Sequence, residues 1–424
     1  MGLCLWCASV CLTAAADWPQ YRGPNFDGSS TEKILTAWPP EGPPCVWRRP
    51  LSNGFSSFVA ADGKVCTLVL RVFDGVSMET CLALDADTGK ELWATRLGVA
   101  EYTGTGDDSG NAGVPGHRGG DGPRSTPAMD GENVYVISSR LRLFCLDAQT
   151  GGVIWSKSLV REHGGRHIPY ENAASPVIDG DRLFVAGGGP GQSLLAFDKD
   201  EGKVLWKTQS EQLTHSTPTI ATINGERQVI FFTRSGLVAV HPEDGQFLWR
   251  YRFRFRVSAA ISPVVGGSFV YCSAGYGVGS GVCRVKESTD GFTVTEAWRK
   301  LHNEPVCSYW STPIHRDGFL YGMFGFKKYH TGPLQCVQLA TGDVKWSQPG
   351  FGHGNVILVD GHLLALTGYG TLVLVQPSPE GYRELARAKA LNGKCWSTPI
   401  VSHGRIYARS TKEGICLDVL PDSE

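Results

Sequence analysis

The chain has 424 residues, of which 53 are glycine, 24 proline and 12 tryptophan, while only 19% are charged. This composition is rich in turn formers and aromatic side chains and poor in the residues that cover exposed helices, which favours an all-β protein. The formal net charge is −1, from 40 basic and 41 acidic residues, so the chain lacks the basic excess that a nucleic-acid partner requires.

The N-terminus has the character of a secretory signal peptide. Residues 1–16, MGLCLWCASVCLTAAA, form an apolar run that ends in small residues and offers a cleavage point before Asp17. The run is too short to span a bilayer, and no later apolar run is long enough to do so. We therefore expect a secreted or periplasmic mature protein that does not span the membrane, with residues 17–44 as an N-terminal extension.

A short phrase then recurs along the chain. CLALDADTGKELW, ending at Trp93, is followed by CLDAQTGGVIW, ending at Trp155, and further copies end at Trp206 and Trp249. Weaker copies end at Trp298 and Trp346. A period of roughly 50 residues is typical of propellers and solenoids.

Each repeat has the pattern of four short antiparallel strands. The segment before the phrase reads as two strands joined by a tight turn, and the phrase itself reads as a third strand, a glycine turn and a fourth strand. In that turn Asp85 can accept backbone N–H bonds and Gly89 can adopt a positive φ. The tryptophan four residues later can then lie between neighbouring blades.

Eight such units can be counted. They open at Phe55, Arg124, Ala174, His215, Ala260, Trp310, His353 and Trp396. The seventh has Leu385 in place of the tryptophan, and the eighth ends after its third strand. The missing strand can come from residues 45–51, CVWRRPL, which carry Trp47. We therefore predict an all-β, eight-bladed propeller over residues 45–424, closed by an N-terminal strand, and a monomer without exposed sheet edges.

The repeated phrase resembles a known one. The pattern A-x-D-x-x-T-G-x-x-x-W, complete from Ala83 to Trp93, is similar to the tryptophan-docking repeat of pyrroloquinoline quinone (PQQ) dehydrogenase propellers, from about Cys45 to the C-terminus. The stretch DWPQYRGPNFDG, residues 17–28, is similar to the leader of secreted PQQ-like repeat proteins. The resemblance also suggests a relation to the propeller scaffold of outer-membrane barrel assembly. Because the phrase builds the blade, it indicates a fold rather than an activity.

The first strand of each propeller blade lines the central channel, so the residues that open the units should surround one channel mouth. The side chains able to bind a ligand there are Phe55, Arg124, His215, Trp310, His353 and Trp396. Three aromatic rings, two imidazoles and a guanidinium could stack a planar or sugar-like ligand and hold an anionic group. They could equally be a plug for a channel that every propeller must fill.

The family resemblance implies what a dehydrogenase would need in addition. Its members hold PQQ with Ca²⁺ near the channel mouth and use an aspartate base, often beside a disulfide between adjacent cysteines. Here no two cysteines are adjacent and the predicted ring carries no carboxylate. Loop carboxylates that could reach the mouth are Glu171, Glu304, Asp107 and Asp108. We expect no cofactor, no metal and no catalytic residue, and hence a scaffold for a protein or polysaccharide partner. The alternative is a PQQ- and Ca²⁺-dependent dehydrogenase of alcohols or sugars.

The cysteines fit a packing role. Four cysteines occupy the same apolar position of their repeats, where cysteine acts as a small hydrophobic residue: Cys81, Cys145, Cys336 and Cys416. Cys272 and Cys283 could bridge neighbouring strands of one hairpin.

Overall fold

Eight antiparallel sheets make up the protein, and their order along the chain is that of the eight predicted units. The computed structural model describes residues 16–100, 122–257, 259–303, 305–325 and 331–421. Within these ranges the helical structure is one short helix, Leu159–His163, and no helix is both long and apolar enough to cross a membrane. The prediction of an all-β, eight-bladed propeller is confirmed.

The first four blades follow one another without interruption, and in each of them the chain runs from the innermost strand to the outermost. Blade one comprises Val59–Ala61, Lys64–Phe73, Val76–Asp85 and Glu91–Val99. Blade two comprises Ala128–Met129, Asn133–Ile137, Arg142–Asp147 and Val153–Ser158. Blade three comprises Val177–Asp179, Arg182–Ala186, Leu194–Asp198 and Val204–Thr208. Blade four comprises Thr219–Ile223, Glu226–Thr233, Gly236–Val240 and Phe247–Arg252.

The last four blades include two departures from this order, because blade seven has an additional strand and blade eight takes its outer strand from the start of the chain. Blade five comprises Val264–Gly266, Phe269–Ala274, Gly279–Ser288 and Gly291–Lys300. Blade six comprises Ile314–Arg316, Phe319–Met323, Leu334–Gln338 and Val344–Gln348. Blade seven comprises Asn355–Val359, His362–Leu366, Thr371–Gln376 and Arg383–Lys389, with Ser29–Ser30 added inside its innermost strand. Blade eight comprises Ile400–Ser402, Arg405–Arg409, Glu413–Asp418 and, from the start of the chain, Cys45–Pro50.

The ring closes as predicted, through the strand that blade eight takes from the N-terminal side. Cys45–Pro50 runs antiparallel to Glu413–Asp418, with Trp47 opposite Cys416. Trp47 is buried, and its indole N–H donates to the carbonyl of Ala86 in blade one at 2.8 Å. The two ends of the chain are therefore joined by a sheet ladder and by an indole bond to the next blade.

The same indole contact joins most neighbouring blades. Trp93 donates to Ala148 O at 3.0 Å, and Trp206 donates to Pro242 O at 2.8 Å, each in the turn of the following blade. The turn glycine lies flat against the ring: a Cβ on Gly89, whose φ is +66°, would stand 2.7 Å from Trp47. Glycine is required for two reasons: the backbone has a positive φ, and any side chain at this position would collide with the face of the indole.

Trp249 is the exception among these tryptophans. It is buried, but its N–H donates to Gln228 Oε1 of its own blade at 2.6 Å. Blade five differs from the others because its third and outer strands are ten residues each and meet in a tight hairpin at Asp290. A Cβ on its turn glycine, Gly291, would meet no atom within 4 Å, so this turn does not lie against an indole ring, and the buried side chain of Gln228 accepts the bond of Trp249 instead.

Hydroxyl groups form a second set of links around the channel. These hydroxyls stand just before the inner strands, in Ser/Thr-Pro pairs except in blade one, where Phe58 follows Ser57. Ser57 N–H donates to Thr126 Oγ1 at 3.0 Å, and Thr126 N–H donates to Ser175 Oγ at 2.9 Å. The same bond joins Ser175 to Thr217 in blade four and Thr398 to Ser57 across the ring closure. The hydroxyl is needed because it satisfies a buried N–H of the neighbouring blade.

The segment that precedes the closing strand, residues 17–35, lies across the end of the channel at which the inner strands end. Trp18 pairs with Ala60 of blade one through two backbone bonds of 2.9 Å. Ser29–Ser30 runs parallel to the inner strand of blade seven. The carboxylate of Glu32 then accepts a bond from the N–H of Gly404 in blade eight. Residues 17–35 therefore contact blades on opposite sides of the ring and fill this end of the channel.

Arg22 anchors the middle of that segment. Its guanidinium is buried and donates to Asp27 O at 2.6 Å within the segment, and to Thr312 O and Pro313 O of blade six at 3.4 and 3.2 Å. No carboxylate among the described residues forms an ion pair with it. The hydrogen bonds to carbonyl oxygens therefore offset the desolvation of its charge.

The cysteines behave as packing residues throughout the described ranges. Their thiols are free, and all but Cys45 are buried. Burial raises the pKa of the Cys272 and Cys283 thiols above the usual range. These two residues face Gly281 and Val270 across the strands rather than each other, so the proposed bridge between them is not formed.

Replacement of Trp47 should weaken the closure of the ring. We expect Trp47→Ala to lower the free energy of unfolding by about 3–5 kcal/mol, because a buried indole and its hydrogen bond are both lost. Urea denaturation followed by fluorescence measures this change. Trp38→Ala is the control, since Trp38 is only half-buried and its indole N–H donates to Leu35 O, three residues earlier in the chain. Equal losses in the two variants would contradict the assigned role of Trp47.

Replacement of Arg22 should loosen the segment that fills the channel end. Arg22→Met keeps much of the side-chain length but leaves buried carbonyls without a donor, and we expect a loss of about 2 kcal/mol in the free energy of unfolding. Arg161→Met, at an exposed helical position, should change it by less than about 0.5 kcal/mol. The idea fails if thermal or urea unfolding shows the same small change in both variants.

Candidate functional site

The six predicted site residues lie at the end of the channel where the inner strands begin. Each stands just before the strand that lines the channel in its blade. This mouth is opposite the end filled by residues 17–35. The six side chains divide into an aromatic group and a polar group.

The aromatic group is a continuous series of ring contacts. The rings of Phe55 and Trp396 are parallel within 22° at a centroid distance of 4.9 Å. Trp310 follows at 4.9 Å from Trp396, and His353 at 4.6 Å from Trp310. Three of these rings remain partly exposed, while His353 is buried. Of these pairs, Phe55 and Trp396 are stacked face to face, whereas Trp310 is tilted by 35° to Trp396 and by 53° to His353.

Two further aromatic residues extend this stack and could not be recognised from the repeat. Tyr309 lies 4.9 Å from Trp310, and Tyr276 lies 5.6 Å from Tyr309 in an edge-on contact. Tyr276 is 42% exposed. Tyr309 directly precedes a predicted residue, but Tyr276 lies in a loop of blade five with no position in the repeat. We call Phe55, Trp396, Trp310, Tyr309 and Tyr276 the aromatic row.

The polar group is held by one turn of the link between blades two and three. Arg124 donates to Tyr170 O at 2.9 Å, and His215 Nε2 lies 3.0 Å from Pro169 O. Since a carbonyl can only accept, Nε2 carries the proton. Burial, followed by the charge of Arg124, lowers the pKa of His215 to about 4. The imidazole is therefore neutral at neutral pH.

That turn also brings one carboxylate to the mouth. Tyr170 and Glu171 have φ values of 68° and 54°, a conformation that side chains other than glycine rarely adopt. Glu171 is 1% exposed. It was a candidate loop carboxylate, and the structure places it next to the polar group. The other candidates, Glu304, Asp107 and Asp108, lie outside the described residues.

The described residues do not fit a quinone held by Ca²⁺. This ion takes six to eight oxygen ligands, whereas Glu171 is the carboxylate that the described part of the mouth supplies. No cluster of three or more His, Cys, Asp or Glu side chains within the described ranges could hold a metal ion.

Comparison with known proteins gives the same fold and two kinds of relative. A PQQ-type repeat model described as outer membrane protein assembly factor BamB matches residues 77–348. BamB of Yersinia pestis is 27% identical over 330 residues, which are 76% of this chain and 65% of that protein. Quinohemoprotein alcohol dehydrogenase ADH IIB of Pseudomonas putida is 29% identical over 142 residues, which are 32% of this chain and 18% of that protein.

A solved structure extends the likeness to almost the whole chain. BamB from Moraxella catarrhalis superposes with a TM-score of 0.58 at 15% identity, covering 90% of this chain and 98% of that one. At this identity the likeness concerns the fold. The alignments with the two sequence relatives, by contrast, span less than two thirds of their lengths. Since the family model matches more than half of the residues, the chain belongs to the PQQ-type repeat family described as outer membrane protein assembly factor BamB.

Proposed function

We propose that this protein is an exported, monomeric, non-catalytic scaffold that binds a protein partner through the aromatic row. The single observation that carries the proposal is the row itself: five aromatic side chains from four blades at centroid distances of 4.9–5.6 Å. Tryptophan and tyrosine are enriched among the residues that dominate protein interfaces. Their mutual stacking fixes their positions before a partner arrives, which reduces the entropy lost on binding.

The surroundings of the mouth support a binding role over catalysis. Residues 17–35 fill one end of the channel, and the stacked rings occupy the other. His215 is buried and bonded to a backbone carbonyl. Abstraction of hydride from an alcohol needs a base within hydrogen-bond reach of the substrate, whereas the imidazole of His215 is only 6% exposed.

The family match and the N-terminal sequence support the choice of partner and location. The family description and the Yersinia pestis relative both name an assembly factor of the outer membrane, which favours a protein partner and a periplasmic location. The apolar run before Asp17 favours export. A polysaccharide partner remains the second form of the scaffold proposal, supported by the same exposed rings, which can stack on sugars.

A dehydrogenase is the alternative function. The similarity to a quinohemoprotein alcohol dehydrogenase favours it, as does the presence of Arg124 and a buried carboxylate, Glu171, at the mouth. An enzyme of that type would also need more oxygen ligands for Ca²⁺ than the carboxylate of Glu171 supplies.

Addition of PQQ and Ca²⁺ to the purified chain tests the alternative. We expect no reduction of an electron-accepting dye with alcohols or sugars, because the described part of the mouth supplies one carboxylate, Glu171, where Ca²⁺ needs several oxygen ligands. Steady-state dye reduction measures turnover, and Trp310→Ala, which removes a ring on which a quinone could stack, is measured beside the parent protein. Saturable turnover in the parent protein would overturn the non-catalytic proposal, and its loss in the variant would place the quinone at the aromatic row.

Site-specific photocrosslinking tests the partner. p-Benzoylphenylalanine in place of Tyr276, which extends the aromatic row, should give a protease-sensitive adduct in the envelope fraction of the cells that make the protein. The matched control is the same substitution at Phe247, which is 45% exposed on an outer strand of blade four. Equal adducts at both positions, or no adduct at Tyr276, would contradict docking through the row. An adduct digested by glycosidase but not by protease would identify a polysaccharide.

A further inference from the structure

A second feature of the mouth face lies beside the channel, over blades three and four. It is a cavity of about 560 Å³, open to solvent. Its walls are the loops 164–169, 187–190 and 210–213, together with Arg234 and Arg256. All of these belong to connections at the same end of the blades as the aromatic row, yet none of them belongs to that row.

The cavity has an excess of positive charge. Arg166, Arg234 and Arg256 line it, and among the described residues no carboxylate forms an ion pair with any of the three. One carboxylate, Glu211, lines the same cavity. It is already bound by Arg250 at 2.6 Å, and it also accepts bonds from the hydroxyls of Ser235 and Thr233. The charge of Glu211 is therefore engaged by other groups, while three guanidinium groups remain available.

Arg234 is the most informative of the three. Its side chain is half-buried, and its charge contributes to the low pKa of His215 after burial and Arg124 have acted. A partly buried cation without a carboxylate partner is costly, and an incoming oxyanion would relieve that cost with two parallel N–H bonds from the guanidinium fork.

The remaining walls indicate what kind of anion fits. Ile168, Pro169 and Leu213 give the cavity apolar surface between the cations. A volume of this size can hold an organic molecule of moderate size. A ligand with a short apolar body and separated anionic groups matches this arrangement better than a single inorganic ion.

We propose that this cavity binds a small organic polyanion, whose oxyanion groups pair with Arg166, Arg234 and Arg256 while its carbon skeleton rests on Ile168 and Leu213. The shared chemistry is that of carboxylate and phosphate groups held a few bonds apart. This site is separate from the docking of a protein partner through the aromatic row, and neither depends on the other.

Titration calorimetry of the purified full chain tests the site. The probes are citrate and propane-1,3-diol bisphosphate, with acetate at matched ionic strength as the monoanion control. We expect saturable one-site binding of at least one probe, clearly tighter than acetate. Binding of citrate alone would assign carboxylates, and binding of the bisphosphate alone would assign phosphates. Heats no larger than those of acetate would overturn the proposal.

Three variants locate the binding. Arg234→Met and Arg256→Met should each weaken it about tenfold, the expected effect of losing one charged hydrogen-bonding group. Arg252→Met is the control, because Arg252 is exposed at the end of the outer strand of blade four and does not line the cavity. Arg256 is itself exposed, so its replacement should not disturb folding. Parental affinity in both cavity variants, or equal weakening in all three, would overturn the assignment.

Discussion

The contact between an indole and the glycine turn of the next blade is the interaction on which this structure depends. A four-stranded blade has two apolar faces and cannot cover both by itself. In most blades the tryptophan of the outer strand covers part of the adjoining face and bonds to a carbonyl there, as Trp93 does with Ala148. Trp47 makes this contact between the first and last blades, so the interaction that orders the repeats also closes the ring.

Closure leaves a channel, and the protein fills it from both ends by different means. At one end a segment of the chain binds inner strands mainly through backbone groups, with Arg22 donating only to carbonyls. At the other end, aromatic side chains pack on one another and remain partly exposed. The first end is suited to rigidity. The second end presents rigid aromatic rings. Beside them lie guanidinium groups that form no ion pair with a described carboxylate. The rings and the guanidinium groups are both suited to binding other molecules.

The repeat allowed most of the fold to be predicted from the sequence, because the turn chemistry of Asp85 and Gly89 must recur wherever an indole docks. The site was only partly accessible. Phe55, Trp310 and Trp396 occupy a fixed position in each unit, whereas Tyr276 and the arginines of the cavity lie in loops that have no period. The path of residues 17–35 was equally hidden, since its contacts are mostly to backbone atoms, which leave no pattern in the sequence.

The end of the channel that residues 17–35 fill also defines a direction along the channel axis. Asp17 lies 3.0 Å from His403 there, and Val419 bonds to Gly404 in the same turn, so both ends of the described chain leave on one side. Anything attached ahead of Ala16 or beyond residue 421 would hold the ring by that side. A tether to any surface would then point the aromatic rings away from the attachment, towards whatever approaches from the opposite direction.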